Sequence, residues 1–238
     1  MLKIHDATNF RRTATGLCLV AATLLMTAGM LATPWETEDS LRGYLDALAA
    51  NPAQGQVSAT LLHYGFLLFV PGFLGLLAVL RGRGVVLGHV GVALAVLGWA
   101  SLSGFLIIDF YDLAIAETLP RARGVALEEH IESYPGILGF FLPAIAGAML
   151  GPALIALALR RAGHVGLWLF GLAVVGGALA IAAPPGLLWS GLSALTAVAS
   201  WGALGVLVLR TPDEAWAAGR LGPDRAVSVA PKEIAEAL

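Results

Sequence analysis

V-V-L-G-H-V-G-V-A-L-A-V-L-G-W-A-S-L-S-G-F-L-I-I-D-F-Y-D, from Val85 to Asp112, is the stretch whose reading decides the fold. Its apolar part exceeds the roughly twenty residues a helix needs to cross a bilayer. It ends on two aspartates, which are costly at a membrane margin unless they meet water, a cation or a partner. Similar apolar runs, separated by short charged turns, fill most of the rest of the chain.

Of the 238 residues, 58% are hydrophobic and only 13% charged, and the mean hydropathy is +0.82. An ordinary soluble domain carries about a quarter charged residues, so that class is excluded. The net charge of -2 comes with no basic stripe able to track phosphates, which argues against a nucleic-acid partner. Cys18, alone in an apolar run, can form no intrachain disulfide and reads as a small core residue.

The expected fold is an all-α, polytopic membrane protein with six transmembrane helices at about 13–33, 58–80, 85–110, 136–159, 165–183 and 186–209. Residues 1–12 form a polar, basic N-terminus and 210–238 a tail, with loops at 34–57 and 111–135. The first run is longer than a signal-peptide core and no clean A-x-A site follows it, so it reads as a retained helix. Eleven of the 14 Lys and Arg residues fall on the side of the two termini and three, Arg42, Arg121 and Arg123, on the other. That bias places both termini in the cytoplasm and the two long loops outside a plasma membrane.

Within the first loop, Leu41, Tyr44, Leu45 and Leu48 make one apolar stripe of a short helix with Thr37 as its cap, lying on the membrane surface or against the bundle. Asn51-Pro52 ends that helix. The 121–135 connection reads as polar, with one or two helical turns. In the tail, T-P-D-E at Thr211 to Glu214 predicts a helix capped by Thr211. Pro184-Pro185 predicts a tight turn. G-H-V-G occurs at Gly88 to Gly91 and again at Gly163 to Gly166, which reads spans two-three and four-five as a tandem hairpin repeat.

Candidate chemistry gathers at one membrane face. Gly98, Ser101, Phe105, Asp109 and Asp112 are spaced by three or four along a helix, and polar residues on such a stripe face protein or water. His63 lies about 7 Å inside the end of span two at 1.5 Å per residue, close in depth to Asp109. The expected ligand- or proton-binding set is therefore His63, Asp109, Asp112, Glu132, Tyr64 and Ser101, in a pocket between spans two, three and four. A metal, if bound there, would take His63, Asp109 and Asp112; the sequence leaves any cofactor unknown, and E-E-H-I-E at Glu128 to Glu132 matches no zinc pattern. A bland reading stands beside it, in which His63 bonds Asp109 or a backbone carbonyl and the acids are solvated or paired with Arg121 and Arg123.

The leading functional expectation is binding or transport of a small solute, cation or proton at this pocket. The alternatives are an accessory subunit that meets a protein partner through residues 37–50 and 121–135, and a metal-dependent membrane hydrolase; a homo-oligomer is also open. Chemistry is the least supported: S-L-S-G at Ser101 to Gly104 has no later-span histidine to act as base. The hydroxyls of Ser193, Thr196 and Ser200 are expected to bond back to their own helix. The small residues Gly139, Gly147 and Gly151 of span four, and Ala173 and Gly177 of span five, read as close helix packing, and Trp99 and Trp201 as core.

Overall fold

The structure, a computed structural model, describes residues 3–36, 38, 40–182 and 185–222. Among these residues every regular element is a helix. In chain order they are α1 (Ala7–Ala32), α2 (Leu41–Ala50), α3 (Pro52–Leu76), α4 (Val85–Phe105), α5 (Ile108–Thr118), α6 (Arg121–Glu132), α7 (Gly136–Arg161), α8 (Leu167–Ala182) and α9 (Leu187–Ala197). A π-helical turn at Val198–Gly202 joins α9 to α10 (Ala203–Arg210), and α11 (Asp213–Ala217) follows.

Among the described residues, five runs are long and apolar enough to cross a membrane: α1, α3, the α4–α5 run Val85–Thr118, α7, and the α9–α10 run Leu187–Arg210. The apolar α8 is shorter, at 16 residues. The α4–α5 run has 34 residues, about 50 Å of helix at 1.5 Å per residue. The hydrocarbon layer is only about 30 Å thick, so a run entering at Val85 leaves it before Asp109.

Two helix pairs make the frame, α4 on α7 and α1 on α3, and both close on small residues. A Cβ at Gly98 would collide with the backbone of Gly147 and Ala148, and one at Gly151 with Ala95. A Cβ at Gly65 would stand 2.8 Å from the Met26 amide. Where lipid is as apolar as any side chain, such close approach supplies the attraction that the hydrophobic effect cannot. Around this frame Phe69 and Phe73 stack at 5.3 Å, Trp201 meets Phe73 edge-on at 5.0 Å, and Leu19, Leu76 and Leu204 are fully buried.

One end of the bundle gathers the basic turns. Gly84, at φ +90°, a conformation glycine adopts freely, brings the 81–84 turn against Ala158 and Arg161. His164 Nε2 lies 2.9 Å from the Val79 carbonyl oxygen, and the Arg81 side chain covers Gly219. At this end Arg12 donates from Nε to Asp213 Oδ1 at 2.7 Å and from Nη1 to the Leu209 carbonyl at 2.7 Å, tying α1 to α10 and α11. The opposite end carries a cap of three short helices. Leu45 and Leu48 of α2 pack on Leu113 and Ala116 of α5, with Val125 of α6 beside them.

Several boundaries differ from expectation. Span two starts at Pro52, because Pro is well placed in a first helical turn, so Asn51 both ends α2 and starts α3. Leu106 and Ile107 interrupt span three with three-residue hydrogen bonds, Ile107 N to Gly104 O and Phe110 N to Ile107 O, so the stripe from Gly98 to Asp112 is not one continuous face. The 121–135 connection contains twelve helical residues, not one or two turns. Ser40 caps α2 by accepting from the Gly43 amide, and Thr37 lies outside the described residues. Thr211 ends α10 instead of capping α11: its hydroxyl donates to the Leu207 carbonyl and accepts from the Gly222 amide. The two G-H-V-G segments are unlike, the first inside α4 and the second in the turn before α8 with Gly163 at φ +80°. Pro184 and the tail beyond Gly222 lie outside the described residues.

Candidate functional site

The expected polar set divides into two separate arrangements. On α3, half-buried His63 presents Nδ1 at 3.0 Å from the Ser103 carbonyl oxygen and 2.9 Å from Ser103 Oγ. Ser103 Oγ donates in turn to the His63 carbonyl at 3.1 Å. With the proton on Nδ1, this two-way clasp satisfies the imidazole edge and fastens α3 to the end of α4. Tyr64, 54% exposed, stands edge-on to the His63 ring at 5.0 Å. Ser101 is half-buried two residues earlier on α4.

The second arrangement is in the cap. Asp112 is only 7% exposed and Glu128 8%. Tyr44 Oη donates to Asp112 Oδ2 at 3.1 Å, and the Asp112 and Glu128 carboxyls face each other across α5 and α6, close enough to act on each other's charge. Glu128 Oε1 is buried with no hydrogen-bond partner. Burial first, and then the Asp112 charge, push the Glu128 carboxyl up to about 7. The same surroundings push the Tyr44 phenol well above its ordinary range, burial again leading. Arg121 does not neutralise the pair; its Nε donates to Asp46 Oδ1 on α2 at 2.6 Å. Asp109 is half-buried in the first turn of α5, and Glu132 is exposed.

His63, Asp109 and Asp112 thus belong to different arrangements, and among the described residues no group of three or more His, Cys, Asp or Glu side chains is placed to hold a metal. Tyr44 and Glu128 are the cap residues the sequence reading left out of the set. The available signal was the i, i+4 pair Gly124 and Glu128: a small residue one turn before Glu128 marks the face of α6 that packs, here against Ile115 and Leu45.

A third feature lies at the bundle centre, a cavity of about 500 Å³. Its wall takes Met26 and Met30 from α1, Phe69 from α3, Trp99 from α4, Met149 from α7 and Trp201 from the π turn. Gly177 of α8 leaves room on one side, a Cβ there meeting nothing nearer than Met149 at 3.6 Å, whereas Gly176 packs directly against Thr196. The hydroxyls that reach the wall are spent on backbone: Thr196 on the Ser193 carbonyl at 2.7 Å, Ser200 on that of Thr196 at 2.6 Å, and Ser193 across to Gly176 of α8 at 3.3 Å. The wall is therefore apolar and rich in soft, adaptable thioethers and aromatic rings. Trp99, against Phe69 at 4.5 Å between ring centroids, keeps a buried Nε1 without a hydrogen-bond partner. The lining includes none of His63, Asp109 or Asp112, so the cavity is not an inward extension of the polar set.

Fold and site together give an all-helical arrangement of the described residues, with five helices apolar and long enough to cross a membrane, an apolar pocket between the helices and a carboxyl-bearing cap at one end. Comparison with protein-family models, curated proteins and solved structures finds no match to the chain.

Proposed function

We propose that the chain is a six-span plasma-membrane protein that binds a small, lipid-soluble molecule in the cavity at the centre of its bundle. The observation that carries this reading is the cavity itself: about 500 Å³, within the range of about 300–1,000 Å³ typical of small-molecule sites, and walled mainly by apolar side chains. A cation or a hydrated solute would find no free charge on that wall, whereas an apolar occupant would replace empty space by contacts. Counting α8 as the sixth span follows from its place between α7 and α9. The cytoplasmic assignment of the termini rests on the basic turns gathered at the Arg12 end.

Two other roles have less support. An accessory subunit docking through residues 37–50 would need its apolar stripe free, yet Leu45 and Leu48 are buried against α5. Proton or cation uptake through His63 would need a path inward, whereas its Nδ1 is held by Ser103.

The experiment is photolabelling of the reconstituted protein with trifluoromethyl-phenyldiazirine, an apolar probe, with the modified residues mapped by mass spectrometry. Labels on Met149 and Thr196, lost in Gly177→Phe with the same size-exclusion profile, are expected. Labels restricted to outward residues such as Leu97 and Leu150, unchanged by Gly177→Phe, would overturn the reading.

A further inference from the structure

The central cavity has a neighbour with which it shares part of its wall. Met30, Ala180 and Ser193 line it and also line a second chamber of about 280 Å³ at the cap end. The character of the wall changes across that neck. The second chamber adds Trp35, Pro185, Trp189 and Ser190, two of them indoles of the kind that settle at a membrane–water interface. Trp35 follows the end of α1 and donates from Nε1 to the Met30 carbonyl at 3.2 Å, which fixes its ring in the wall of the second chamber. Trp189 and Ser190 stand in the first turn of α9, whose start at Gly186 no side chain caps. The two chambers are thus an apolar bay inside the bundle and a more polar vestibule at its margin.

Building on the reading of the central cavity as a binding site, we infer that its occupant is a single-chain amphiphile, held with its tail in the central bay and its head in the vestibule. An apolar tail gains from burial against Met26, Phe69 and Met149, and a hydrogen-bond-accepting head gains from remaining near Ser190 and the interface instead of being dragged inward. A ligand without a head would use only the larger chamber. A two-chain lipid would need two apolar bays, whereas the wall at Met30, Ala180 and Ser193 joins the vestibule to the central bay alone.

Two palmitate analogues, one with a diazirine near the methyl end and one with it near the carboxyl, test this in nanodiscs, with labels mapped residue by residue. The methyl-end probe is expected on Met149 and Thr196 and the carboxyl-end probe on Trp189 and Ser190. Ala180→Trp, at the neck, is expected to lose the methyl-end labels while keeping the carboxyl-end ones. Identical or reversed label positions for the two probes would overturn the inference, as would full methyl-end labelling in Ala180→Trp. If trifluoromethyl-phenyldiazirine labels the central bay while neither palmitate analogue does, the amphiphile is wrong and the apolar site stands. If none of the three labels it, both fall.

Discussion

Asp112 on α5 and Glu128 on α6 face each other carboxyl to carboxyl, each more than nine-tenths buried, with no cation among the groups that act on them. What faces the pair adds no positive charge: Tyr44 from α2 donates a phenolic hydroxyl, Asp109 lies on the same helix as Asp112, and Glu132 is one turn beyond Glu128. Two buried carboxylates this close cannot both ionise cheaply, so one proton between them is part of the packing of the cap.

The pH dependence follows from Glu128. Its carboxyl is raised from 4.5 to about 7, chiefly by burial, so the folded cap holds a proton that the unfolded chain has already released. Stability from this group is complete below pH 4.5, declines as pH rises between 4.5 and about 7, and is level above that. Glu128→Gln should remove the decline and raise Tm at pH 8 by about 2–4 °C, on the order of 1 kcal/mol for a chain of this size. Thermal melts of both proteins at pH 5 and pH 8 check it; a wild-type Tm that climbs with pH over this range would contradict the assignment.

Packing between α4 and α7 predicts a contrast between two glycines. Gly98→Ala drives a methyl into the backbone of Gly147 and Ala148, and overpacking of this kind costs about 1–3 kcal/mol. Gly139→Ala, on the same α7 surface column, meets nothing within 4 Å and should be neutral or gain up to about 1 kcal/mol from helix propensity. Melting temperatures in detergent separate the two.

That contrast also shows where the sequence was legible. Spacing marked Gly147 and Gly151 as a contact column, but Gly139, in register with them, sits past the end of the contact, and periodicity carries no information about where a neighbouring helix stops. The membrane runs were readable because each one's apolar length is set by the bilayer alone. The break at Leu106–Ile107 was not, since no Pro or charge marks it. Helix α6 was underestimated because what holds it is tertiary, Gly124 and Glu128 against α2 and α5. The cavity had no linear signature at all: Met26, Trp99, Met149 and Trp201 each read as ordinary apolar residues and become a wall only when distant helices meet.

At the other end, Arg12 and Asp213 form a latch that should respond to acid. Asp213 accepts from Asn9 Nδ2 at 3.0 Å and from Arg12 Nε at 2.7 Å, bonds that hold its carboxyl below the usual range. The stability it contributes is present above the ordinary carboxylate pKa and is lost as pH falls through the lowered value, the opposite sense to Glu128. Arg12→Ala also strips the Leu209 carbonyl of its donor and should cost about 2–3 kcal/mol, less than a fully buried pair because Asp213 keeps 30% of its side chain exposed. Faster proteolysis after Arg210 in this variant is the readout, and Asp213→Asn, which keeps an acceptor for Arg12, should cleave more slowly than Arg12→Ala.

Orientation decides which compartment's pH the Asp112–Glu128 pair senses. Cys18 is the sole cysteine, so Cys18→Ala gives a clean background for single-cysteine reporters at Glu129 in the cap and Arg83 in the basic turn, both exposed. On the proposed orientation, with the basic turns in the cytoplasm, a membrane-impermeant maleimide should label Glu129→Cys on intact cells and Arg83→Cys only after permeabilisation. The reverse pattern would leave the helix packing untouched but turn the cap inward. The carboxyl pair would then sit at the steady pH of the cytoplasm instead of the variable pH outside, and a group titrating near 7 would have little change to respond to.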